Sequence, residues 1–179
     1  MKGSVFLKKL LIITAILIII STMIKTNAEN KIVIPEESLR FRIIANSNNI
    51  EDHKVKNQVK NALEKELTTI LATAENIDES KEIMNNKLDD IRVVLDKILV
   101  PKNINYDLNY GSNYFPAKTF KGVIYNEGNY DSLVITLGEG RGDNWWCVLF
   151  PPLCLLEDNT NTSDIEYQFY ISRIINKFK

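Results

Sequence analysis

Two stretches of the chain repeat apolar residues at three- and four-residue steps, which is the period of an amphipathic helix. The first covers residues 50–73 and follows Asn46-Ser47-Asn48-Asn49, a set of turn and cap residues. Asn49 with Asp52 three residues later has the pattern of a helix start. The second covers residues 79–99, and Pro101 ends it. The two apolar stripes, which must be buried against each other or against a sheet, are Val55, Val59, Ala62, Leu63, Leu67, Ile70 and Leu71, and Ile83, Met84, Leu88, Ile91, Leu95, Ile98 and Leu99.

Alternation of apolar and polar residues predicts strands on both sides of this helical pair. One strand, residues 39–45, precedes the helices, and residues 104–110, 118–125 and 133–137 follow them. Residues 126–129, Asn-Glu-Gly-Asn, have the composition of a hairpin turn between the last two strands. The order β-α-α-β-β-β predicts an α+β two-layer sandwich, with two long helices against a mainly antiparallel sheet.

The C-terminal third of the chain is less regular. Residues 145–150 are either a further strand or a short helix capped by Asp143 or Asn144, and Pro151-Pro152 ends the element in both cases. Residues 157–163 are predicted to be a polar loop, and residues 164–179 a C-terminal helix. Docking of this helix on the body is favoured over contact with a membrane, and its apolar positions are Ile165, Phe169, Ile171, Ile174, Ile175 and Phe178.

Residues 1–28 have the pattern of a targeting segment. Three lysines precede an apolar run at residues 10–20, and residues 26–28, Thr-Asn-Ala, are an imperfect cleavage site. The segment is therefore either a cleaved signal peptide or an uncleaved signal anchor, and residues 29–179 are expected to form a single domain outside the cytoplasm. Without residues 1–28 the formal charge moves from −1 to −5, with 18 basic and 23 acidic residues, which argues against nucleic acid as a partner.

Residues 138–154 contain both tryptophans and both cysteines of the chain. Glycines alternate with charged residues at 138–142, and glycine permits positive φ angles and close backbone approach. Because neighbouring strand residues point to opposite faces, one of Trp145 and Trp146 is expected in the core and the other in contact with a partner. Cys147 and Cys154 either form a disulfide that closes a small loop or remain two thiols.

Candidate catalytic groups are few. A secreted hydrolase of cell wall or peptides, with Cys147 as nucleophile, is one hypothesis, but the single histidine, His53, lies upstream among charged residues typical of a solvated surface. Glu139 and Asp143 are a weak acid pair, and the alternate glycines lack the lysine of a phosphate-binding loop.

One histidine and two cysteines seven residues apart do not form a zinc pattern, so neither a metal nor a cofactor is expected. The interpretation that remains is a binding module rather than an enzyme, because flexible backbone and large aromatic side chains occur together. The residues predicted to contact a partner are Gly138, Glu139, Gly140, Asn144, Trp145 and Trp146.

Blocks at residues 40–47 (Arg-Phe-Arg-Ile-Ile-Ala-Asn-Ser), 114–120, 122–130 and 138–154 resemble, in the same order, the stage II sporulation protein R family. The resemblance covers roughly residues 34–156. It implies a secreted intercellular signal, made in the forespore and exported into the space between the two sporulation membranes. It also implies a partner, a membrane-embedded aspartic protease of the mother cell, which such a signal activates so that pro-sigma-E is processed. The family implies no catalytic residues in this chain.

Overall fold

The computed structural model describes residues 11–19, 32–154 and 163–178. The chain divides into two compact units, Met1–Ile32 and Val33–Lys179, and residues 11–19 of the first unit are helical. Within the described ranges, no helix has the length and apolar character needed to cross a bilayer. The cleavage site predicted at residues 26–28 and most of the polar loop predicted at residues 157–163 lie outside the described residues.

The described residues from 32 onwards contain strands and helices in an α+β arrangement, as predicted. The elements are β1 (Ile32–Val33), β2 (Leu39–Ile44), α1 (Ile50–Leu71), α2 (Ile77–Leu99), β3 (Tyr106–Phe115), β4 (Lys118–Phe120), β5 (Val123–Tyr125), β6 (Gly128–Leu137), β7 (Asn144–Phe150) and α3 (Asp164–Lys177). Residues 145–150, for which strand and helix were both open, belong to strand β7.

The larger sheet has the strand order β3-β6-β2-β7. β2 pairs in parallel with β6 and antiparallel with β7, and β3 pairs antiparallel with β6. These strands form a mainly antiparallel sheet, as predicted, but the strands that follow the helices in this sheet are β3, β6 and β7. Because β2 lies between β6 and β7, the loop that joins β6 to β7 must cross the carboxyl end of β2.

The two long helices cover one face of this sheet. Asn49 caps α1 by accepting a hydrogen bond from Asp52 N–H (2.8 Å), and Asn76 caps α2 by accepting one from Glu79 N–H (2.9 Å). The predicted stripes are largely buried, although Ala62 is exposed. The core between helices and sheet includes Phe41, Ile43, Val59, Leu63, Leu67, Met84, Ile91, Leu95, Leu133, Ile135, Cys147 and Leu149.

Strands β1, β5 and β4 form a second sheet in that order. The prediction of one strand over residues 118–125 is wrong, because Lys121 (φ 47°) and Gly122 (φ 78°) make a two-residue turn that pairs β4 antiparallel with β5. The hairpin predicted at residues 126–129 is also wrong. β5 and β6 belong to different sheets, so this segment connects the small sheet to the large one.

The small sheet lies against the other face of the large sheet, where the Tyr125 ring meets Trp146 edge-on (5.3 Å), and α3 packs on the small sheet. The Tyr125 hydroxyl lies 3.0 Å from the Tyr167 hydroxyl, and the Phe120 and Tyr167 rings are 5.5 Å apart. α3 begins after its cap, Ser163, and buries Tyr167, Ile171 and Ile175. The C-terminal helix therefore packs on the body of the protein through these three residues.

Candidate functional site

The loop at residues 138–143 is bonded to the backbone of neighbouring segments as it crosses the end of β2. Gly138 N–H donates to the Asn105 carbonyl (2.7 Å), Arg141 N–H to the Asn46 carbonyl (3.0 Å) and Gly142 N–H to the Ala45 carbonyl (2.9 Å). Two blocks that lie some 90 residues apart in the sequence, around residues 46 and 141, thus form one surface. This surface, residues 45–49 with residues 138–145, is called the crossing surface below.

Two asparagine side chains add a second set of bonds to the loop. Asn46 Oδ1 accepts from Glu139 N–H (2.9 Å), and Asn48 Oδ1 accepts from Asp143 N–H (2.6 Å). The Asp143 carbonyl in turn accepts from the Lys56 ammonium on α1 (2.9 Å). The loop is therefore held by side chains as well as by backbone, an arrangement that favours preorganisation for binding.

Asp52, in the first turn of α1, organises the segment that holds the loop. Its Oδ2 accepts hydrogen bonds from Ser47 Oγ (2.6 Å) and Asn46 Nδ2 (2.9 Å). These bonds, that of Ser47 first, lower the pKa of the Asp52 carboxyl because they stabilise its charged form. Asp52 thereby orients the Asn46 amide so that its oxygen faces the loop.

The glycines of the loop are required by its path. Gly138 and Gly140 have φ angles of 56° and 62°, which residues other than glycine rarely adopt. A Cβ atom on Gly142 would lie 2.4 Å from the Ser47 carbonyl oxygen. The alternate glycines therefore serve backbone conformation and close approach.

The outer side of the loop is exposed and charged. Glu139 and Arg141 form an ion pair, with side chains that are 65% and 76% exposed. Asp143 and Asn144 are exposed beside them, while Gly140 is half-buried. Since the loop is bonded to the body through its backbone, these side chains remain available to a partner.

The two tryptophans lie on opposite faces of β7. Trp145 is half-buried on the helical side, where its ring meets Phe41 edge-on (5.6 Å) and Lys60 Nζ lies 5.0 Å from its centroid. Trp146 is only 8% exposed and meets the rings of Phe115 and Tyr125 edge-on. Trp146 is thus a core residue, and the fold removes it from the predicted contact set.

Arg40 is a buried cation beneath this part of the sheet. Its guanidinium carbon lies 3.3 Å from the Tyr130 ring centroid, 5.2 Å from that of Phe115 and 5.5 Å from that of Trp146. No side-chain nitrogen of Arg40 has a hydrogen-bond partner among the described residues, and burial lowers its pKa. Contacts with aromatic rings replace the usual carboxylate partner.

Cys147 and Cys154 form a disulfide, and both are fully buried. The Glu64 carboxylate lies close by, with one of its oxygens and both sulfurs within 4.8 Å of one another. Sulfurs joined to each other are not thiolate ligands, so this cluster does not supply the donors of a zinc site. Nor is Cys147 at a helix N-terminus, where a thiol would be activated, since it lies within β7.

Sequence reasoning missed Asn46, Asn48, Asp52 and Lys56 as parts of the site. It interpreted the first two as turn residues and Asp52 only as a helix-start signal. One signal in the sequence could have indicated their role in holding the loop. Asn46 belongs to the first block of the family resemblance, and the polar residues at 46–49 are more than one helix cap requires. Their contact with the loop at 138–143 appears only where the two distant segments cross in the fold.

The fold and the site together define an α+β protein with a preorganised loop surface. Residues 35–160 match the family model of stage II sporulation protein R. The chain is 36% identical over 133 residues to stage II sporulation protein R of Bacillus subtilis (strain 168), and this alignment covers 73% of the chain. No solved structure matches the chain.

The chain belongs to the stage II sporulation protein R family and has a role in sporulation. The alignment spans 59% of the length of the Bacillus subtilis relative. The matched residues 35–160 include the whole crossing surface and the disulfide, whereas α3 lies beyond them.

Proposed function

We propose that this protein is a secreted intercellular signal of endospore formation. In this proposal it is exported from the forespore and activates a membrane-embedded aspartic protease of the mother cell, which then processes pro-sigma-E. Membership of the stage II sporulation protein R family supports this proposal. The observation that carries it to particular residues is the loop at 138–143, which is bonded to residues 45–48 and yet exposes its charged side chains.

The crossing surface is the proposed contact with the extracytoplasmic face of the protease. A ligand shifts an equilibrium between two states only by its difference in affinity for them. A loop that is already ordered loses little conformational entropy on binding, so more of its contact energy is available to favour the active state. The proposed contact residues are Gly138, Glu139, Gly140, Arg141, Asn144 and Trp145.

A secreted hydrolase with Cys147 as nucleophile is the alternative that the sequence suggested. Nucleophilic catalysis needs a thiolate that substrate can reach. The buried, disulfide-bonded Cys147 offers no such group, so no observation in the described residues favours this alternative.

The proposal is tested in a sporulating strain that lacks its own copy of the gene and expresses variants of the full chain. The test variant is Glu139→Ala/Arg141→Ala, which removes one exposed ion pair and should leave stability nearly unchanged. The matched control is Lys87→Ala/Asp90→Ala, which removes an ion pair (2.7 Å) from α2. Pro-sigma-E processing is followed by immunoblot, together with the amount of each variant.

We expect no processing without the gene, processing at the normal level with the control variant, and a loss of at least about tenfold with the loop variant, as for a central interface contact. Normal processing in the deletion strain would remove the proposed function altogether. Normal processing with the loop variant alone would move the contact away from the crossing surface.

A further inference from the structure

Three charged side chains on one stripe of α1 lie beside β7 and the residue that precedes it. On the helix they are four residues apart, a step of about 6 Å. Their neighbours on the strand side are two residues apart, a step of about 6.6 Å. The two steps nearly match, so the neighbouring pairs form one row. From the loop at 138–143 inwards, the pairs are Lys56 with Asp143, Lys60 with Trp145, and Glu64 with Cys147.

The middle of this row joins the disulfide to the aromatic part of the crossing surface. Lys60 Nζ lies 5.0 Å from the Trp145 ring centroid and 3.3 Å from Glu64 Oε2. An oxygen of the Glu64 carboxylate lies within 4.8 Å of both disulfide sulfurs. The Lys60 and Glu64 side chains are only 12% and 7% exposed, so salt screens their attraction weakly. One buried ion pair therefore lies between the disulfide and a proposed contact residue.

The disulfide end of the row has acceptors for two thiol protons. Within a disulfide neither sulfur carries a proton, so neither donates a hydrogen bond. Yet Cys154 Sγ lies 3.0 Å from the Val148 carbonyl oxygen, and the Glu64 carboxylate lies beside both sulfurs. In the reduced protein the Val148 carbonyl can accept from the Cys154 thiol, and Glu64 from the Cys147 thiol. The redox state of the two cysteines thus decides whether Glu64 has a second hydrogen-bond donor.

We propose that Lys60 and Glu64 couple the disulfide to the crossing surface, so that this surface takes its binding form only once the disulfide has formed. In the oxidised protein the Glu64 charge attracts Lys60, which lies against the Trp145 ring. In the dithiol form Glu64 accepts a hydrogen bond from Cys147, and its attraction for Lys60 weakens. Lys60 then no longer fixes the Trp145 ring. The inference names a regulation of the same surface and rests on the proposed function for its biological role.

Oxidation of the two thiols requires an oxidant that itself contains a disulfide. One cysteine thiolate attacks the S–S bond of the oxidant, and the second cysteine resolves the mixed disulfide, so that two electrons and two protons pass to the oxidant, which leaves as a dithiol. Both sulfurs are fully buried in the folded protein, so this exchange takes place before folding is complete. The coupling therefore marks a chain that has completed oxidative folding, and the finished bond is protected from thiols.

The two indole N–H resonances of the full-length protein measure the coupling by NMR. Trp145 lies in the row, and Trp146, on the opposite face of β7, is the internal reference. Reduced protein is obtained by refolding with dithiothreitol, and its thiols are counted by mass after alkylation. We expect reduction to move the Trp145 resonance much further than the Trp146 resonance. An unmoved Trp145 resonance, equal movement of both, or a reduced chain that does not fold would overturn the coupling.

Glu64→Gln tests the proposed route, because it removes the charge and nearly keeps the shape of the side chain. The shift of the Trp145 resonance on reduction should fall at least about threefold, since the amide attracts Lys60 little in either redox state. Glu66→Gln makes the same change at an exposed position of α1 and should leave the shift unchanged. A Glu64 side chain with only a structural role would alter stability but not this shift, and a full shift in Glu64→Gln would overturn the proposal.

Sporulating cells separate this inference from the proposed function. With Glu64→Gln we expect pro-sigma-E processing to fall at least about fivefold, and with Glu66→Gln to stay normal, at equal amounts of each variant. Normal processing without the gene would remove the proposed function, while the coupling measured by NMR would stand. Processing that needs the gene but is normal with Glu64→Gln would keep the proposed function and overturn the regulation.

Discussion

Trp145 and Trp146 are neighbours in sequence that occupy different environments. Trp146 completes the aromatic surroundings of Arg40 and carries Lys118 Nζ at 4.7 Å from its ring centroid. Trp145 packs one edge on Phe41 and keeps part of its ring at the surface, beside the loop at 138–143. Trp145 therefore has the environment of a contact residue, and Trp146 has that of a core residue.

Replacement of each tryptophan by alanine should separate these two roles. Trp146→Ala leaves a cavity and should lower the free energy of unfolding by about 3–5 kcal/mol. Trp145→Ala loses only partial burial, about 1–2 kcal/mol, and should stay folded but fail to support pro-sigma-E processing. Chemical denaturation measures the first effect and immunoblotting of sporulating cells the second.

Trp145→Phe is the control, because it keeps an aromatic edge against Phe41 and should retain part of the processing. A Trp146→Ala protein as stable as the wild type would contradict the burial of Trp146. Normal processing with Trp145→Ala would remove Trp145 from the contact surface.

At the residue scale, contacts between residues close in sequence could be predicted, whereas contacts between residues from different strands could not. The Asn49 cap with Asp52 three residues later is a local pattern, and it is confirmed. The burial of Arg40 has no local signal, since a charged residue in an alternating strand predicts a solvated face. Its aromatic neighbours Phe115, Tyr130 and Trp146 come from three different strands and meet only in the folded sheet.

At the element scale, the crossing surface depends on how closely two loops approach. A Cβ on Gly142 would meet the Ser47 carbonyl oxygen at 2.4 Å and the Ala45 Cβ at 2.8 Å, so one of the two loops would have to shift. A Cβ on Gly111, in the middle of β3, would meet no atom of the described residues within 4 Å. The two glycines therefore form a matched pair for one substitution.

Gly142→Ala should lower the free energy of unfolding by about 1–3 kcal/mol, as overpacking does in a core. Gly111→Ala should leave it unchanged or raise it by about 0.4–1 kcal/mol, because alanine restricts the unfolded chain. Urea denaturation measures both values, and hydrogen exchange of the Arg141 and Gly142 amides reports the loop directly. Unchanged protection of these amides in Gly142→Ala would contradict the close crossing.

Periodicity predicted the helices better than the strands. Both long helices lie within two residues of their predicted limits because a 3.6-residue period persists over more than five turns. The segment 118–125 was predicted as one strand, because the alternation of apolar and polar residues gives no sign of the chain reversal at Lys121-Gly122. β6 extends back to Gly128, where glycine and asparagine had the composition of a turn.

At the scale of the whole molecule, the parallel pairing of β2 with β6 determines where the crossing surface forms. Arg40 pairs with Ser132 and Ile44 with Thr136, across about 92 residues of chain. A contact between such distant segments leaves no trace in local periodicity. The sequence therefore predicted the class of fold and the two long helices that follow the strand at β2, while the crossing surface required the strand order β3-β6-β2-β7.

α3 extends this whole-molecule argument, because it lies beyond the residues that match the family model and yet packs on the small sheet. Gln168 Nε2 donates to the Lys121 carbonyl (3.0 Å), and Phe178 meets Phe150 edge-on (5.0 Å). Ile171 is fully buried in α3, whereas Ile165, in the same helix, is 82% exposed. The same isoleucine-to-alanine change can thus be made on the packed and the open side of one helix.

Ile171→Ala should lower the free energy of unfolding by about 2–4 kcal/mol, through lost burial and the cavity that remains. For a body of this size, that corresponds to a fall in Tm of roughly 4–16 °C. Ile165→Ala should change Tm by less than about 2 °C, since its side chain is already in water. Circular dichroism at 222 nm during heating measures both. Equal effects of the two variants on Tm would mean that α3 is not packed on the body. A single thermal unfolding transition that only Ile171→Ala shifts would show that α3 unfolds as one cooperative unit with the sheet.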